Sequence, residues 1–65
     1  MNKDVRQLMR AARRQGLRVA HRGAHVRVTN PATGDFVTVP KTPSDRRWRK
    51  NSIADLRRIG FNTTR

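Results

Sequence analysis

His25 sits in the run Arg22-Gly23-Ala24-His25-Val26-Arg27, with one arginine three residues before it and another two after. An imidazole between guanidinium groups suits RNA cleavage. That reaction can use the substrate's own 2′-OH as nucleophile. The protein then supplies a base for the 2′-OH proton, an acid for the leaving oxygen and cations for the charge that builds on phosphorus. Histidine titrates nearest neutral pH and can serve in either proton role. On an extended strand Arg27 shares a face with His25, because side chains alternate, so its guanidinium can hold the scissile phosphate. Phe36 offers a ring on which a base can stack, or a cross-strand partner for a neighbouring side chain. Arg46, Arg47, Arg49 and Lys50 form a second basic cluster around Trp48, the single tryptophan. Trp48 reads as an apolar tether for its loop. His21 alternates with Leu17 and Val19 and reads as a packing or sheet-edge residue.

The charge balance narrows the partner class. Sixteen Lys and Arg against four Asp and Glu give a net charge of +12 in 65 residues. A field of that size attracts polyanions before any detailed contact forms. Thirteen of the sixteen cations are arginine, whose planar fork suits bidentate phosphate contacts and base stacking. Nucleic acid is the leading partner class, ahead of an acidic lipid or protein surface. There is no cysteine, hence no disulfide and no thiolate metal site. Two histidines without converging carboxylates make no zinc site, so neither a metal nor a cofactor is expected. No apolar run is long enough to span a membrane, and no signal-peptide pattern is present. The expectation is a soluble cytoplasmic protein with no membrane partner.

These residues need a frame, and the length allows one domain, residues 1–65. Val5, Leu8, Met9 and Ala12 recur at helical spacing, predicting a helix over 4–15 capped by Asn2 or Asp4 and stopped at Gly16. Alternating apolar residues predict strands over 17–22, 24–29 and 35–40. Gly23 and the run Asn30-Pro31-Ala32-Thr33-Gly34 mark the turns between them. A polar loop over 41–51 leads to a second helix opened by Ser52, with Ile53, Leu56 and Ile59 on its apolar side and Gly60 at its end. Residues 62–65 read as a fraying tail. The fold class is α+β in the order α-β-β-β-α. A three-stranded antiparallel meander carries both helices on its Val26/Val28/Val37/Val39 face. His25, Arg27, Phe36 and Thr38 then occupy the opposite, open face.

The ordered set Gly16-Leu17, Arg22-Gly23-Ala24-His25, Asn30-Pro31 with Gly34, Val37-Thr38-Val39-Pro40 and Ser52 through Phe61 resembles the HicA toxin family of toxin–antitoxin systems. The resemblance runs from about Val5 to Phe61. It implies a double-stranded-RNA-binding-like fold, metal-independent mRNA interferase activity and an acidic HicB-like antitoxin that covers the active face. It also implies that His25 is the catalytic histidine. Two features depart from the family pattern. Ala24 replaces the hydroxyl residue that precedes the histidine, and Pro40-Lys41-Thr42 carries no second histidine. The alternative is a catalytically inactive, HicA-like nucleic-acid-binding or regulatory module.

Overall fold

Asn2 sets where the first helix begins. Its Oδ1 accepts from the N–H groups of Asp4 and Val5 at 2.7 and 3.4 Å, satisfying two of the donors that a helix start leaves open. The computed structural model describes residues 1–63. Helix α1 spans Lys3–Arg14, followed by strands β1 (Arg18–Arg22), β2 (His25–Thr29) and β3 (Phe36–Pro40), and then helix α2 (Trp48–Arg58). The observed order is the expected α-β-β-β-α, and each strand lies within one residue of its predicted bounds. Both helices end in the same way. The N–H of Leu17 donates to the carbonyl of Ala12, and that of Phe61 to Leu56, across the glycines 16 and 60. The apolar residue past each glycine, Leu17 or Phe61, is buried in the core.

The sheet order is β1-β2-β3, antiparallel throughout. Val26, Val28 and Val39 are fully buried beneath Val5, Leu8, Met9 and Ala12 of α1 and Leu56 of α2. Both helices therefore cover one sheet face. Backbone bonds outside the strands fix the hydrogen-bonding phase. The N–H of Asn30 donates to the carbonyl of Asp35 at 2.8 Å, and that of Lys41 to Ala24 at 3.0 Å. Because bonded pairs alternate along an antiparallel ladder, Val26 and Val28 bond towards β3 while His25, Arg27 and Thr29 bond towards β1. The outward edge of β1 thus presents the backbone groups of Val19 and His21.

The helices run in the same direction. The N–H of Asn2 donates to the Lys41 carbonyl, placing the start of α1 at the end of the sheet that carries His25. Asn30 Nδ2 donates to the Ile59 carbonyl at 2.6 Å, placing the end of α2 at the opposite sheet end. Two hydrogen bonds join the helix ends there: Gln15 Nε2 donates to the Asn62 carbonyl at 2.7 Å, and the Asn62 N–H donates to Gln15 Oε1 at 2.6 Å. Asn62 is therefore pinned, in contrast to the expected fraying. The rest of that expectation, Thr64 and Arg65, lies outside the described residues.

The second helix begins four residues earlier than its sequence suggests. Ser52 does not open it. It lies in the second turn with its side chain buried, at the position in the apolar stripe between Trp48 and Leu56. Asp45 starts the helix instead. Its side chain accepts from the Arg47 N–H at 2.9 Å and its carbonyl from the Trp48 N–H at 3.1 Å. A serine inside an apolar stripe imitates a cap when read from sequence, which explains the difference. Trp48 packs against the core from the first turn of α2.

Candidate nucleic-acid interface

The open sheet face is a grid set by register. Arg18, Thr29 and Phe36 form one row, Ala20, Arg27 and Thr38 the next, and Arg22, His25 and Pro40 the third. Residues directly opposite on neighbouring strands are side-by-side neighbours. Arg22 therefore adjoins His25 across the hairpin, and Arg27 follows two positions along β2. Three arginines and a histidine share this face with no aspartate or glutamate. The Arg22/His25 pair is set by a two-residue turn, Gly23-Ala24. Gly23 has φ +57° and Ala24 does not enter positive φ. Positive φ at the first central position alone is the II′ pattern, which matches the twist of the flanking strands.

Arg27 stacks its guanidinium over the Phe36 ring, 4.3 Å from the centroid. The ring stays 54% exposed, so it acts as a cross-strand partner and also leaves apolar surface open to a ligand. The Nε of Arg27 is buried without a hydrogen-bond partner among the described residues. Attraction to the ring face offsets part of that desolvation. No carboxylate neutralises these cations. Among the described residues the one ion pair is Arg58 to Asp55, 3.7 Å, on the exposed side of α2. The His25 imidazole is exposed and has no hydrogen-bond partner among the described residues.

The second basic cluster divides. Arg46 and Arg47 stand in the turn before α2, and Lys50 in its first turn. All are exposed and lie at the sheet end that carries His25. Both helix N-termini point to this same end, and their partial positive charge adds to it. Arg49 goes elsewhere. It borders a groove between the two helices with Gln7, Ala11 and Ile53, on the side of the helices away from the sheet. The structure thus gathers Arg22, His25, Arg27 and Phe36, keeps Arg46, Arg47 and Lys50 at one end of that face, and separates Arg49 from it. Arg18 belongs on the open face and was not among the residues expected there. The alternation that turns Leu17 and Val19 inward carries Arg18 outward with Arg22.

No group of three or more His, Cys, Asp or Glu side chains converges among the described residues. No helix there is long and apolar enough to cross a membrane. No family model, curated protein or solved structure matches the chain.

Proposed function

We propose that the chain is a HicA-like toxin that binds mRNA on the open sheet face and cleaves it at His25, acting in the cytoplasm under the control of an acidic HicB-like antitoxin. The observation that carries this reading is the pairing of His25 with Arg22 across the hairpin, on a face that also carries Arg18 and Arg27 and, among the described residues, no carboxylate. A phosphate held by Arg22, which adjoins His25 across the hairpin, brings the adjoining ribose to the imidazole, while Arg27, stacked towards Phe36, takes the strand further along the face. The His25 imidazole takes the proton from the 2′-OH. The 2′-oxygen then bonds to phosphorus, and the bond from phosphorus to the 5′-oxygen breaks. Water protonates that leaving oxygen, and the products are a 2′,3′-cyclic phosphate and a 5′-hydroxyl. Arg22 stabilises the charge that accumulates on the phosphoryl oxygens. With no group orienting the imidazole and no second acid beside it, turnover is slow. The acidic antitoxin is suited to the same uncompensated cations.

A second reading, a binding module without catalysis, is favoured by the unpartnered His25 ring and by Ala24, which has no hydroxyl. One comparison separates the two readings. Purified wild type and His25→Ala are incubated with a long unstructured RNA, with and without EDTA. The expected result is cleavage by wild type alone, unaffected by EDTA, with RNA affinity within a few-fold for both proteins. Equal cleavage by both, or none by either with binding preserved, leaves the binding module.

A further inference from the structure

The opposite side of the β1 edge carries a second basic surface. Arg6, Arg10 and Arg13 recur at i, i+4 and i+7, which aligns them along one flank of α1. With Val19 and His21 of β1 they line a groove of about 310 Å³ floored by Met9. All three arginines are exposed and lack an ion-pair partner among the described residues. The groove holds no acid. Asp4 belongs to the other flank of α1, since it shares a stripe with Leu8, Ala11 and Gln15, which border the groove towards α2. The outward backbone groups of Val19 and His21 lie along the same edge, where their N–H groups can donate to phosphate oxygens.

We infer that this groove is a second phosphate-binding track, taking the backbone of an RNA strand that continues from the open face over the β1 edge. Arg18 and Arg22 stand on one side of that edge and Arg6, Arg10 and Arg13 on the other, so cations line the whole path. The β3 edge could not serve in the same way. Its groove against α2 is lined by Asp35, Asp55 and a single cation, Arg58, which pairs with Asp55. The choice of RNA as ligand rests on the function proposed above.

The test compares four proteins: wild type, the groove variant Arg6→Gln/Arg10→Gln/Arg13→Gln, the open-face variant Arg22→Gln/Arg27→Gln, and the control Lys3→Gln/Arg14→Gln/Arg57→Gln, which has the groove variant's net charge. Each is titrated with RNAs of about 5 and about 16 nucleotides, the span of ordinary single-strand sites, over a range of salt concentrations. The groove variant should lose about tenfold in affinity for the longer RNA, and its log–log salt slope should become shallower by about 2, three contacts at about 0.7 each. Its affinity for the short RNA, which fits on the open face, should stay within about twofold. Circular dichroism confirms folding, which exposed substitutions leave intact. An unchanged long-RNA affinity and slope, or an equal loss in the control, overturns the track. Loss in the groove variant with none in the open-face variant overturns the open-face site and the continuous path from it, leaving binding in the groove alone. Anionic phosphatidylserine vesicles are the last arm. Vesicle binding lost in the groove variant while long-RNA binding persists overturns the inference in favour of a membrane surface.

Discussion

Phe36 bears directly on how RNA is held, because its ring is both open to solvent and covered in part by a guanidinium. Stacking of a base on an aromatic ring is worth about 1–3 kcal/mol, so Phe36→Ala should weaken RNA binding at least about fivefold. It should leave the melting temperature almost unchanged, since a half-exposed ring adds little to the core. A filter-binding titration beside a thermal melt checks both halves. Arg27→Lys should also weaken binding, because an ammonium keeps the charge but loses the planar fork and the stacking surface. Much of this site could be read from alternation alone, which put His25, Arg27 and Phe36 on one face before any register was known. Alternation could not show that Arg22 adjoins His25, because that depends on the length of the turn between them. Nor could it place Arg49, whose direction follows from where α2 begins.

Asn30 ties two elements together. Its Oδ1 accepts from the Ala32 N–H at 2.9 Å, shaping the β2–β3 turn, while its Nδ2 satisfies the Ile59 carbonyl at the end of α2. Asn30→Ala removes both bonds and leaves a part-buried carbonyl unpaired, so it should cost about 1–3 kcal/mol by urea unfolding. Gly60 is fitted to the same contact. A Cβ there would lie 3.0 Å from Asn30 Nδ2, on a backbone already at φ +105°. The start of α2 is built with less care for stability. Its first turn has no acidic residue and its cap position, Arg47, makes no side-chain cap bond, so Arg47, Arg49 and Lys50 oppose the helix dipole. Lys50→Glu should therefore stabilise the fold by about 0.5 kcal/mol and weaken RNA binding, a trade measurable by pairing unfolding with titration. The elements themselves were legible because α1 and the strands have clean apolar periods and strong turn residues. The start of α2 was not. Its apolar stripe passes through Ser52, and its initiating residue, Asp45, lies in a stretch that reads as loop. The role of Asn30 was visible only as a turn signal, since its second partner is 29 residues away.

For the whole molecule, a charge of +12 with a single ion pair among the described residues makes salt act in two directions. Screening relieves self-repulsion in the folded state, so the melting temperature should rise by about 5 °C between roughly 0.05 and 0.5 M salt. Over the same range RNA affinity should fall steeply as counterion release is lost. A melting temperature that falls with salt would show that charge repulsion does not govern stability, and a flat affinity that phosphate contact does not govern binding. The hydrogen bonds from Asn30 to Ile59 and between Gln15 and Asn62 have a further consequence, for the order in which the fold closes. They close across 29 and 47 residues, and neither can form until α2 exists. Until α2 docks, the inner face of β3 is uncovered and these bonds are open. The open face and the helix over its reverse side therefore complete each other only when the last element docks, so folding of the sheet and docking of α2 close in one late step.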